Sequence, residues 1–316
     1  MNKRERLEAV FRGEAPDRIP AGFWYHFPAG STMEELIEGQ WALYARTDMD
    51  IIKVMHEFRC PLSRDLSEAS DWRRVRLEGV GTPRVEAQLE IIRRLRERAG
   101  DEVMLFTTMF GPFQHACSAA SDARMMAHCA EDPESVRLGA SAMTVELERC
   151  AEAFLDAGAD GLYYSAQYGE IGRFSHEEWS TLVRPMDLRI LDCARHRGKR
   201  ILLHICGERM YDAKIHLDWY ADYPADIVNW SISDNGLSLA EGRALFHRPV
   251  LGGMNNRGSL GNGTLEEVAR EANAAIEASG GGPFMLGADC TIRGERDLDR
   301  IAAAVQAAHT HRTKEG

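Results

Sequence analysis

Three residues of this chain have the types and the spacing of a metal site. His204 and Cys206 stand two apart in the apolar run Ile201–Cys206, and Cys290 ends a second run, Phe284–Cys290. Residues two apart on a strand project to the same side. An imidazole and a thiol at one strand end therefore present two ligands in one direction. A second thiol arriving at another strand end completes a His, Cys, Cys set suited to Zn²⁺. The fourth position is then left to substrate or a weak ligand, the mark of a catalytic rather than a structural zinc. Spacing alone leaves another reading open, since a strand cysteine is commonly a small buried hydrophobe and a strand histidine a satisfied core group. Cys60, in a loop near the same rim, competes for a place in the site. Cys117, Cys129, Cys150 and Cys193 fall in helices or connections and read as packing.

Other strand ends carry weaker signals. Tyr25 and His26 follow the first apolar run, His56 the second, and Gln167, Tyr168 and Glu170 the fourth. These are candidate catalytic groups for acid–base work or for orienting substrate. Asn229, Asn255 and Arg257, near the sixth and seventh runs, are candidate substrate-binding groups. A G-x-S-x-G nucleophile elbow is absent, and the glycines of 252–263 do not form a phosphate-binding Walker pattern.

The elements that must position these residues alternate regularly. Short apolar runs occupy Ile19–Trp24, Asp50–Met55, Val103–Thr108, Asp160–Ser165, Ile201–Cys206, Asp226–Ser231, Pro249–Met254 and Phe284–Cys290. They are nearly continuous in hydrophobicity, as in a parallel sheet covered on both faces. Helical patterns lie between them. Asp132-Pro133 suits a helix start, and Ser175 with Glu178 resembles a capping box opening a helix to His196. Eight strands alternating with helices predict an α/β fold, a (β/α)₈ TIM barrel whose active site lies at the carboxyl ends of the strands. An N-terminal helix, Asn2–Phe11, precedes the barrel, and an insertion between Phe58 and Thr82, after the second run, elaborates one mouth. One domain spans 1–316. A doubly wound open sheet is the runner-up, but the first run is not followed by a G-x-G-x-x-G turn.

Composition narrows the function classes. The chain has 316 residues, 44% of them hydrophobic, enough for a large core, and a formal net charge of −11. That balance, without a Lys/Arg cluster, argues against nucleic acid and anionic membrane surfaces. No apolar run reaches the roughly 18–20 residues of a membrane span. The basic start lacks the apolar stretch of a signal peptide. Seven widely spaced cysteines argue against a disulfide scaffold, so a cytoplasmic protein with reduced thiols is expected.

Several stretches carry a resemblance. Glu14-Ala-Pro-Asp-Arg-Ile-Pro-Ala, Gly158–Pro185 and the pair Pro249–Leu260 with Phe284–Ile292 are similar to signatures of the uroporphyrinogen decarboxylase superfamily. The resemblance implies a (β/α)₈ barrel over almost the whole chain. The first loop, Phe23–Gly30, lacks the arginines by which true uroporphyrinogen decarboxylases hold substrate carboxylates, and Lys53–Phe58 offers no catalytic aspartate. Instead, His204, Cys206 and Cys290, with Cys290-Thr-Ile292, resemble the H-x-C…C pattern of the zinc methyltransferase branch, of the methylcobalamin:coenzyme M methyltransferase type. This resemblance implies a Zn²⁺ cofactor, a small-molecule thiol as methyl acceptor, and methylcobalamin as donor. A corrinoid-binding D-x-H-x-x-G module is absent from the chain, so the corrinoid is expected on a partner protein. Distantly related methionine synthases add a glutamate near the sixth strand, where this chain has Ile227-Val-Asn-Trp-Ser. Asp234, Glu170 and Asp289 are the substitutes considered for a fourth zinc ligand. Two alternatives stand beside this reading. One is a decarboxylase or other lyase of a non-porphyrin substrate using His56, His26 or Tyr168; the other is a non-catalytic corrinoid- or metal-binding accessory protein. A homodimer is the default for a soluble barrel enzyme.

Overall fold

The computed structural model describes residues 1–57, 60–117, 119–207 and 214–311. Its centre is a curled parallel sheet of seven strands in sequential order. They are β1 (Ile51–Val54), β2 (Met104–Phe110), β3 (Gly161–Ala166), β4 (Arg200–Ile205), β5 (Ile227–Trp230), β6 (Val250–Met254) and β7 (Phe284–Ala288). Each expected run from the second to the eighth overlaps one of them, with β2 running two residues past its expected end, β3 one, and β4 starting one residue early. Helices alternate with the strands, so the fold is α/β of the TIM-like kind. The strands are buried along almost their whole length, as coverage on both faces requires.

The first expected run, Ile19–Trp24, is built differently. Ala21 makes one parallel bridge to Leu286 of β7. Gly22 N–H donates to Leu286 O, and Asp50 N–H donates to Ala21 O. Pro20 has no N–H with which to extend a ladder, so the segment lies between β7 and β1 without becoming a strand. Space there is tight: a Cβ on Gly22 would stand 2.5 Å from Met285 Cε and 2.7 Å from Ile51 Cγ1.

Below the strands, the N-terminal helix Lys3–Phe11 starts at Asn2, which forms a capping box with Glu5. Its Leu7 and Val10 pack with Ile51, Met104, Phe106, Leu202, Ile227, Leu251 and Met285, making an apolar floor inside the curled sheet. Buried Asp50 ties this end together. It lies 2.5 Å from Arg6 Nη1, accepts from Ala21 N–H at 2.8 Å, and stands 2.9 Å from His309 Nε2.

Helix starts follow the caps read from sequence. Asp132 opens Pro133–Asp156, and Ser175 opens His176–Leu182 with the reciprocal bond from Glu178. The second of these does not run on to His196. The chain breaks at Val183 and resumes as Arg184–His196, with Pro185 in its first turn, because a proline suits a helix start and disrupts an interior.

Residues 60–82 hold a short 3₁₀ turn, Ala69–Arg73, and an antiparallel bridge between Leu62 and Leu77. Buried Trp72 donates to His128 Nδ1 at 3.2 Å and its backbone abuts Gly139. This stretch thus packs against the helices Asp122–Glu131 and Pro133–Asp156. Phe58, where the insertion was expected to begin, lies outside the described residues. Among the described residues no helix is long and apolar enough to cross a membrane.

Candidate metal centre

Two residues along β1, β2, β3, β4 and β5 from the apolar floor, the inward side chains turn polar. Lys53, Thr108, Tyr163, Ser165 and His204 line a cavity of about 260 Å³, and Cys206, Cys290 and Arg293 join them from beyond the strand ends. His204 follows Leu202 on the inward face of β4, and Cys206 follows His204, so the period of two places both ligands toward the cavity. Cys206 N–H donates to Ala166 O at 2.8 Å, which continues the parallel ladder past β4. Cys290 arrives two residues beyond β7.

One ligand atom each from His204, Cys206 and Cys290 lies within 4.8 Å of the others. The imidazole is oriented from behind. His204 Nδ1 lies 2.5 Å from Asn229 Oδ1, and Asn229 Nδ2 donates to Leu251 O at 2.9 Å and Ala288 O at 3.1 Å. Two carbonyls can only accept, which fixes the amide with its oxygen toward His204. Nδ1 must therefore carry the proton, and Nε2 keeps its lone pair. Nε2 is buried and has no hydrogen-bond partner among the described residues. The Tyr163 ring stacks on the imidazole, with centroids 5.5 Å apart and planes at 28°.

This donor set fits zinc. Zn–S near 2.3 Å and Zn–N near 2.0 Å set tetrahedral edges of roughly 3.5–3.8 Å. A spread of at most 4.8 Å closes with about an ångström of side-chain movement. A ligating imidazole commonly donates its other ring N–H to an oxygen acceptor that fixes its orientation, and the Asn229 carbonyl oxygen serves that purpose here. Among the described residues no further His, Cys, Asp or Glu joins the group. The substitutes considered for a fourth ligand are engaged elsewhere. Glu170 faces Arg173 Nε at 3.1 Å, Asp234 faces Arg257 Nη2 at 2.6 Å, and Asp289 accepts from Ser233 N–H at 3.0 Å.

Cys60 does not compete for this site. It is buried beside Cys150, whose hydrogen bond lowers its thiol while Cys150 is raised in turn. Cys150 is thus the partner of a second thiol as well as core filling.

The other expected residues divide into those that face the cavity and those that do not. His26, His56, Gln167 and Glu170 line it. Tyr168 turns away: at φ 71° its hydroxyl meets Cys117 Sγ at 3.0 Å and the Arg173 guanidinium lies 4.4 Å over its ring. Tyr25 packs on Phe27 with ring centroids 5.2 Å apart, outside the lining. Asn229 lies behind His204 rather than in substrate space. Asn255 Oδ1 accepts from Arg257 N–H at 2.9 Å, and Arg257 pairs with Asp234, so both shape the loop after β6.

Sequence reasoning missed Lys53, Cys117, Tyr163 and Arg293. Alternation along β1 carries the signal for Lys53, a charge in the middle of an apolar run at the parity of Ile51 and Met55. Among the described residues its hydrogen-bond partner is Met55 Sδ at 3.0 Å, and Nζ stands 4.0 Å over the Tyr163 ring. Burial lowers this ammonium to about 7, against the pull of Cys290, Glu57 and Cys206.

Known proteins share this architecture. A methyltransferase from Methanosarcina mazei superposes with a TM-score of 0.77 at 18% identity, covering 98% of each chain. A B12-independent methionine synthase from a Shewanella species gives 0.57 at 14% identity, covering 92% of each. Comparison with curated proteins finds no match. At these identities the likenesses establish the fold. Residues 54–311 match the uroporphyrinogen decarboxylase (URO-D) family, and the chain belongs to that family.

Proposed function

We propose that this protein is a zinc-dependent methyltransferase on a (β/α)₈ barrel, with the segment around Ala21 as the eighth stave of a single domain. The observation that carries the reading is the buried, unpartnered ring nitrogen Nε2 of His204, gathered with the thiols of Cys206 and Cys290 within 4.8 Å. The shared fold of the Methanosarcina methyltransferase and the Shewanella methionine synthase supports it. The acceptor is a small-molecule thiol. The donor is a methylated corrinoid on a separate protein, and the chain works in the cytoplasm, as a homodimer.

His204, Cys206 and Cys290 would hold the zinc, which would supply the acidity that brings a thiol of ordinary pKa near 8.5 to its nucleophilic form at neutral pH. The chain's own residues do the rest. Asn229 keeps the imidazole in its ligating tautomer. Tyr163 and the apolar floor close the cavity below and behind the ligands, excluding water from that side. Lys53 places a cationic group near both cysteines and offsets the negative charge of two thiolates. Besides the ligand His204, four cationic or imidazole side chains, Lys53, Arg293, His26 and His56, line the cavity, few for a porphyrinogen bearing many carboxylates.

Purified protein is expected to hold one zinc per chain and to methylate a thiol from methylcobalamin. Cys206→Ala is expected to lose both properties. A chain without stoichiometric zinc whose Cys206→Ala variant methylates thiols normally would overturn the reading. Carbon dioxide release without a methyl donor, persisting in chelator, would point to the lyase alternative.

A further inference from the structure

A thiol that becomes a nucleophile gives up a proton, and the cavity has a group placed to take it. His26 stands at the mouth with its side chain 45% exposed, and its Nδ1 lies 3.1 Å from both carboxylate oxygens of Glu57. Phe27 N–H donates to Glu57 Oε1 at 3.0 Å and fixes the carboxylate. Burial pushes Glu57 up, but hydrogen bonds from His26 and Phe27 more than offset it, leaving the group below the usual carboxylate range. An ionised carboxylate only accepts, so Nδ1 carries the proton. Nε2, without a protein partner among the described residues, is then the basic atom.

His204 and His26 thus share a tautomer and differ in the group behind it, an amide oxygen behind His204 and a carboxylate behind His26. The carboxylate holds the Nδ1–H of His26 and so orients its Nε2 as the proton-accepting atom. We propose that His26, positioned by Glu57, is the general base that accepts the acceptor thiol's proton at the cavity mouth. This rests on the thiol methyltransferase reading. The S–H bond breaks, its electron pair stays on sulfur, an N–H bond forms at Nε2, and the imidazolium returns the proton to water.

The other ionisable groups facing this space are enclosed or engaged. His56 is buried among the rings of Phe110, His115 and Phe154, Glu170 pairs with Arg173, and Cys117 meets the Tyr168 hydroxyl. Tyr163 stacks between Lys53 and His204, and Arg293 is permanently cationic. Lys53 is buried but lines the same cavity, so it is the rival that the test must separate.

The test uses zinc-loaded full-length protein and the variants His26→Asn, Glu57→Gln, Glu57→Asp and Lys53→Met. Zinc content is expected to stay at the wild-type level in the His26 and Glu57 variants. His26→Asn is expected to lower kcat/KM for the thiol about 100-fold or more and to remove the rise of rate with pH that a base requires. Glu57→Asp should restore part of what Glu57→Gln loses. Imidazole ¹⁵N spectra of metal-free protein should show the Nδ1–H tautomer of His26, and lose its dominance in Glu57→Gln. A wild-type rate and pH profile in His26→Asn, or a pH dependence abolished by Lys53→Met instead, overturns the proposal while the methyltransferase reading stands. Wild-type protein that methylates no thiol overturns both.

Discussion

Replacing Asn229 by alanine separates the two tasks of that side chain. Asn229 is fully buried and makes three hydrogen bonds, to His204 Nδ1, Leu251 O and Ala288 O. At about 1 kcal/mol net for each bond, Asn229→Ala lowers the unfolding free energy of metal-free protein by about 3 kcal/mol, with more lost if the stranded carbonyls stay dry. The bond to His204 has a second readout. Without it the imidazole is free to turn and to take the other tautomer, and loss of such a partner typically weakens metal binding about 10–100-fold. That range corresponds to about 1.4–2.7 kcal/mol. Urea denaturation in chelator measures the first quantity, and competition with a chromophoric zinc chelator measures the second. The decisive comparison is between them. A variant that loses stability yet binds zinc within twofold of wild type would refute the claim that Asn229 presents His204 Nε2 to the metal.

Three further outcomes follow from the geometry. Cys206→Ala and Cys290→Ala should each abolish stoichiometric zinc. Because both thiols must lose protons to bind, zinc affinity should rise by up to about 100-fold per pH unit on the acid side of neutrality; pH-independent affinity in a chelator titration contradicts the two-thiolate set. Buried Asp187 accepts from the Tyr164 and Tyr223 hydroxyls at 2.5 and 3.0 Å, and burial raises it to about 7. Its folded value lies above the unfolded one, near 3.9, so the stability it contributes is present at low pH and is lost as pH rises through about 4 to 7. Asp187→Asn should flatten that decline in urea denaturation at pH 5 and 8, and a wild type that gains stability over this window relative to the variant sinks the assignment. Asp50→Ala takes a buried carboxylate from Arg6, His309 and the Ala21 N–H, leaving Arg6 its paired bonds to Asp17, and should cost about 1.5–3 kcal/mol of unfolding free energy; a loss under about 0.5 kcal/mol in the same assay would show that closure does not depend on this cluster.

How much of this was legible in the sequence depends on how local each signal is. The strands after the first, and the ligands His204 and Cys206, are set by a period of two within a few residues, and Cys290 by the end of one apolar run. Helix starts at Asp132 and Ser175 are equally local. The break at Val183 was missed because the apolar pattern continues through Pro185, whose backbone chemistry overrides it. Pairings that depend on ring closure were not legible. His26 and Glu57 are 31 residues apart and meet because the stave carrying Ala21 lies beside β1. Cys60 meets Cys150 only because the insertion packs on the long helix, which no spacing rule anticipates. Cys117 read as a helical packing residue, yet the short helix Pro112–Ala116 ends so that its thiol reaches the cavity wall.

The floor built by Leu7 and Val10 has a kinetic consequence. Among the described residues the curled sheet is plugged below by the N-terminal helix, so traffic to the ligands shares the entrance at the strand ends. On the function proposed above, a small acceptor would have to enter before a carrier-borne donor covered that doorway, and the product would leave after the carrier withdrew. That proposal therefore predicts a sequential ternary mechanism, which initial-rate kinetics with both substrates varied would check.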